Sequence, residues 1–199
     1  MTEAAREKPV MTLDDLMQVD ARVEIINGEI VNMAAAGGAH HIVVSNIDYI
    51  LQSYVRHNKI GSVFPDGLTY LMFSETKGLK DSFVPDVSFI CNENIPAGWD
   101  LEKPHPGVPD LAIEVISPSE SADDIQTKVR TYLEKGAEQV WIVYPTTKEI
   151  LQYTRDDPKT VNLYTGSQPI DAESLFPGID GLTTDAIFAL PPWAIKEGN

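Results

Sequence analysis

Residues 109–144, PDLAIEVISPSESADDIQTKVRTYLEKGAEQVWIVY, decide the fold. Two nearly continuous apolar runs, LAIEVI and QVWIVY, have the composition of strands buried on both faces. Between them Ser121 and Asp124 stand at the spacing of a capping box. Ile125, Val129, Tyr132 and Leu133 follow as one inward stripe at helical spacing, and Gly136 stops the pattern. A strand, a helix and a strand in this order make a parallel crossover, right-handed by the usual chirality of such units. Glu114 interrupts the first strand. It lies opposite the Leu111, Ile113 and Val115 face, and a charge inside a buried strand is expensive unless it is paired or holds a metal.

Working outward toward the N-terminus, VPDVSFI reads as a strand that carries a second carboxylate, Asp86, at its start. LTYLMF reads as a strand pairing antiparallel with it, GSVFPDG as a turn and SETKGLKDS as a polar connection. From His40 to His57 the residues Val43, Ile47, Ile50, Leu51, Tyr54 and Val55 recur at helical spacing and predict an amphipathic helix covering one sheet face. VEII and EIVNM flank Asn27 and Gly28, a type I′ hairpin signal, and Thr12 with Asp15 caps a short helix. Residues 92–109, rich in proline and without periodicity, read as a loop able to fold over a site, with Trp99 as a packing plug. Toward the C-terminus, EILQYTR and VNLYTG make a hairpin around DDPK, and ESLFPGIDGLTTDAIFAL closes over the core.

The length of 199 residues, with 43% hydrophobic and 23% charged, suits one domain over 11–190 between a flexible stretch 1–10 and a tail 191–199. No apolar run approaches the roughly 20 residues that cross a bilayer, and the first residues lack the apolar core of a secretory signal, so the expectation is a soluble, cytoplasmic protein. Cys91 is the single cysteine, which excludes an intrachain disulfide. A net charge of −15 argues against a broad basic surface, so contact with a phosphate backbone must be local. Lys77, Lys80, Lys128, Arg130 and Lys135 offer a small cationic strip for it.

Asp86 and Glu114, on neighbouring strands, are suited to converge on one divalent ion. Mg²⁺ prefers oxygen ligands and keeps several waters, so two carboxylates and the Val115 carbonyl can hold it. Asp110 is not a partner for Glu114, since four residues along one strand separate the two by about 13 Å; it reads as a strand-entry cap. Asp124, Lys128 and Tyr132 line one helical stripe at intervals of four.

VEIINGEIV, the glycine loop before His40 and His41, VPDVSFI, PDLAIEVISPS and the run from Lys128 through Tyr132 to GAEQVWIV together resemble the Uma family of putative restriction endonucleases, in the PD-(D/E)XK nuclease superfamily. The resemblance implies an α/β restriction-endonuclease-like core, a mixed central β-sheet flanked by helices, with additional N- and C-terminal β-hairpins. It makes Asp86 the aspartate of the first half-motif and Glu114 the acidic residue of the second. Ile116 stands where the motif has its lysine, and the resemblance supplies that role from Lys128 on the next helix. Glu24 is implied as a further acidic member, and His41, beside His40, as a histidine able to touch substrate. The implied function is a Mg²⁺- or Mn²⁺-dependent endodeoxyribonuclease that acts on DNA, and by analogy a homodimer is expected. The alternative is a catalytically weak or inactive nucleic-acid- or protein-binding module on the same fold.

Overall fold

The computed structural model describes residues 11–33, 35–73, 78–117 and 120–195. Lys77, the stretch 1–10 and residues 196–199 of the expected tail lie outside them. Helix α1 (Leu13–Met17) opens on the reciprocal box that its spacing predicts: Thr12 Oγ1 accepts from the Asp15 amide at 3.2 Å, and Asp15 Oδ2 accepts from the Thr12 amide at 2.9 Å. Strands β1 (Val23–Ile26) and β2 (Glu29–Asn32) form the expected hairpin, with φ of 51° at Asn27 and 79° at Gly28. Helix α2 (Gly38–Asn58) buries Val43, Val44, Ile47, Leu51 and Val55 along one side.

The next stretch departs from expectation. GSVFP is not a turn but strand β3 (Gly61–Pro65), and only Asp66 and Gly67 turn. Strand β4 (Tyr70–Phe73) pairs with β5 (Leu79–Phe83), the end of the segment read as a polar connection, and not with the Asp86 strand β6 (Val87–Cys91). The polarity of β5 misleads because Asp81 and Ser82 are buried, and Asp81 Oδ1 accepts from the Asn27 amide at 2.7 Å. The partners of β6 are β3 on one side and β8 (Leu111–Val115) on the other, both antiparallel. Gly61 permits the first pairing, since a Cβ there would stand 2.2 Å from the Ile90 carbonyl oxygen and 2.5 Å from the Phe89 ring.

The crossover forms as expected. Strand β8 runs parallel to β9 (Gln139–Tyr144), joined by α3 (Ala122–Lys135). Ser121 caps α3, but its side chain accepts from the Asp123 amide, one residue earlier than a capping box places it. Gly136, at φ 119°, ends the helix. Strands β10 (Glu149–Thr154) and β11 (Val161–Tyr164) extend the sheet as a hairpin, and α4 (Thr184–Ile187) lies in the closing segment.

Two mixed sheets result, in the orders β11-β10-β9-β8-β6-β3 and β2-β1-β5-β4-β7, where β7 (His105–Pro106) pairs parallel with β4. The N-terminal hairpin is therefore the edge of a second sheet. One core gathers α2 and the closing residues Phe176, Leu182 and Ile187 on the face of the six-stranded sheet that carries Leu111, Ile113 and Val115. Another packs α3 and residues of the second sheet against Ala112, Val140 and Ile142. Strand alternation sends Glu114 to this second face, toward α3. No described helix is long and apolar enough to cross a membrane.

Trp99 packs edge-on against Phe64 and His105, with ring centroids 6.2 and 4.8 Å away, and so is the plug its loop suggested. His105 is buried beside Tyr70, and neither ring nitrogen has a hydrogen-bond partner among the described residues. Burial holds its imidazole below the ordinary value of 6.5, against a smaller opposing pull from Asp110. The folded chain thus resists a proton that the unfolded chain accepts. This contribution to stability is complete above about pH 6.5 and is lost as pH falls from there toward the folded value. Urea midpoints of His105→Phe, compared with the unsubstituted chain at about pH 7.5 and pH 5, should shift in favour of the variant at the lower pH. A difference independent of pH removes His105 from the acid response.

Candidate active site

The strand, helix and hairpin each deliver a charge to one place. Asp86 sits where the β6–β8 ladder ends, and its Oδ2 accepts from the Val115 amide at 2.6 Å, replacing a strand carbonyl. Its Oδ1 lies 3.1 Å from His40 Nε2. Glu114 points from β8 under α3, where Lys128 Nζ donates to Oε2 at 3.1 Å and the Tyr132 hydroxyl donates to Oε1 at 3.0 Å. Lys128 Nζ is also 2.7 Å from Glu24 Oε2, and the other Glu24 oxygen accepts from the Val84 amide at 2.8 Å. Glu24, Glu114 and Lys128 are each no more than 6% exposed. With Asp86, His40 and Val115 they line a cavity of about 400 Å³.

Burial decides the electrostatics. The Glu114 carboxyl is pushed up to about 8, chiefly by desolvation and further by Glu24 and Asp86, while Lys128 pulls it down. Burial would lower the Lys128 ammonium, but Glu114 and Glu24 together carry it above its ordinary value. Lys128 is therefore a cation held 2.7 Å from Glu24 and 3.1 Å from Glu114. The hydrogen bond that His40 donates to Asp86 raises its imidazole, against a smaller effect of burial. Burial, then the charges of Glu114 and Glu24, raises Tyr132 well above an ordinary phenol, so it serves as a hydrogen-bond donor.

The structure brings Asp86, Glu114, Lys128, Glu24 and Val115 together. Of the two histidines it is His40, not His41, that reaches Asp86; the His41 ring stacks edge-on against His40 at 5.2 Å and also lines the cavity. The signal was available: His40 stands four residues before Val44 and seven before Ile47, on the buried side of α2, whereas His41 is exposed. Tyr132 belonged to the Lys128 stripe, but its bond to Glu114 could not be read from spacing.

Among the described residues no group of three or more His, Cys, Asp or Glu side chains is arranged to hold a metal. Mg²⁺ takes few protein oxygens and keeps its waters, and among the residues lining the cavity that could offer such oxygens are Asp86, Glu114 and Val115.

Two mixed sheets flanked by helices, with this cavity beside the crossover, define a restriction-endonuclease-like nuclease fold. A crystal structure described as "a putative nuclease belonging to DUF820 from Anabaena variabilis ATCC 29413" matches it with a TM-score of 0.70, covering 89% of this chain and 97% of that chain. At 20% identity the likeness is one of fold. The chain belongs to the Uma2 family, described as "Putative restriction endonuclease", whose sequence model matches residues 11–185. No curated protein matches it.

Proposed function

We propose that this protein is a divalent-metal-dependent endonuclease that hydrolyses phosphodiester bonds in DNA. One observation carries the reading. Asp86, Glu114 and Lys128, which come from three separate elements, meet in one partly enclosed cavity. Family membership supports the reaction class. Asp86, Glu114 and the Val115 carbonyl would hold Mg²⁺ or Mn²⁺, which polarises a phosphoryl oxygen and lowers the pKa of a bound water. Val115, whose amide donates to the Asp86 carboxylate, lines the cavity. Lys128 stays protonated between two glutamates, so it does not act as a base. It donates hydrogen bonds that orient the attacking water and offset negative charge developing on phosphorus-bound oxygens. Glu24 and Tyr132 are positioning residues that hold Lys128 and Glu114 in register. A double-strand cut requires two such cavities, which a homodimer would supply.

Supercoiled plasmid incubated with the purified protein should be nicked in Mg²⁺ or Mn²⁺ and remain intact in excess EDTA. Unchanged plasmid under all conditions, at low and moderate salt, would move the assignment to a binding module on the same fold. Nicking that survives EDTA would point to a contaminating or metal-independent activity and overturn the site.

A further inference from the structure

At the rim of the same cavity Arg22, immediately before β1, forms an ion pair with Asp66 in the turn after β3. Among the described cavity-lining residues Arg22 and Lys128 are the permanent cations. They differ in availability. The Lys128 side chain is 8% exposed and committed to two glutamates, whereas that of Arg22 is 52% exposed. The other charged lining residues include Glu24, Asp66, Asp86, Glu114, Glu120 and Asp124, so the entrance of an already acidic chain opposes a polyanion. A backbone phosphate approaching this cavity therefore meets one accessible guanidinium, whose planar fork matches phosphate oxygens as well as it matches a carboxylate.

We propose that Arg22 is a phosphate-binding residue for the DNA backbone flanking the scissile bond, and that Asp66 masks it until the phosphate displaces the carboxylate. The proposal rests on the nuclease reading and deepens it. The exchange swaps one charge-assisted pair for another, so the Asp66 carboxylate competes directly with substrate and sets affinity without entering the chemistry. A purely structural strap between β1 and the β3 turn would behave differently: loss of either partner would then have the same consequence.

The test is binding of a short fluorescent DNA duplex by anisotropy in Ca²⁺ over a series of salt concentrations, for the unsubstituted chain, Arg22→Ala and Asp66→Asn. Melting curves should confirm that both variants, altered at an exposed and a partly buried side chain, remain folded. Arg22→Ala should bind about tenfold more weakly, with a salt slope smaller by about one phosphate contact. Asp66→Asn should bind several-fold more tightly at low salt, because the mask has lost its charge. In the plasmid assay both effects should fall on KM more than on kcat. Equal weakening by both variants, or no change in the slope for Arg22→Ala, overturns the proposal, as does absence of duplex binding by the unsubstituted chain. Duplex binding that follows the expected pattern without any metal-dependent cleavage upholds the phosphate site while refuting the nuclease reading.

Discussion

Lys128→Ala should destabilise the folded chain by about 3–5 kcal/mol, the usual consequence of stranding a buried charge by removing its partner. The ammonium touches Glu24 at 2.7 Å and Glu114 at 3.1 Å, and all three side chains are nearly excluded from water. Without Lys128, Glu114 can take up a proton, since burial has already raised it to about 8, but Glu24 would face the interior with only the Val84 amide. The stability loss should therefore be concentrated on Glu24, and Glu24→Gln in the Lys128→Ala background should recover much of it. Urea unfolding of the four chains in this cycle measures the coupling. If Lys128→Ala is as stable as the unsubstituted chain, the lysine does not hold this cluster together. The same geometry makes loss of cleavage in Lys128→Ala alone ambiguous. The charge-balanced pair Lys128→Met with Glu24→Gln is the cleaner probe of the lysine's part in the reaction.

Asp86→Asn should reduce metal-dependent cleavage by about a thousandfold, or about 4 kcal/mol at the transition state, while the chain stays folded. The asparagine oxygen can still accept from the Val115 amide, so the end of the β6–β8 ladder keeps its bond. What disappears is the negative charge needed to hold a divalent ion. That charge also raises His40, so the His40 imidazole should titrate at lower pH in Asp86→Asn than in the unsubstituted chain, a shift read directly by NMR. A variant that cleaves at full rate would reduce Asp86 to a structural acceptor for Val115 and His40. A variant that unfolds would do the same.

The sequence exposes this site unevenly, for reasons visible in single residues. Glu114 is conspicuous because a carboxylate in LAIEVI has no neutral explanation once the strand is known to be buried. Asp86 by itself is ordinary Pro-Asp turn chemistry, and it gains meaning only beside Glu114. Lys128 is recognisable through the stripe it shares with Tyr132, but a helix lysine is as easily solvated, and its burial depends on how α3 settles on the sheet. His40 and His41 differ by about 100° around α2, and only docking of that helix selects the one that meets Asp86. The strand β5 stayed hidden because Lys80, Asp81 and Ser82 look solvated, while in the fold Asp81 and Ser82 are buried.

What the sequence determined by itself is local: the caps at Thr12 and Ser121, the Asn27–Gly28 turn, the period of α2 and α3, and the parallel crossover that places Glu114 on the α3 face. Each depends on residues within a few positions of one another, where backbone preference and side-chain period act directly. Tertiary structure alone decided that β3 flanks β6, that β4 turns to β5, that Glu24 arrives from the second sheet to share Lys128, and that Arg22 closes on Asp66. These contacts join distant segments. They are set by which whole arrangement buries the apolar faces while pairing buried charges such as Lys128, and no short stretch of the chain contains that comparison.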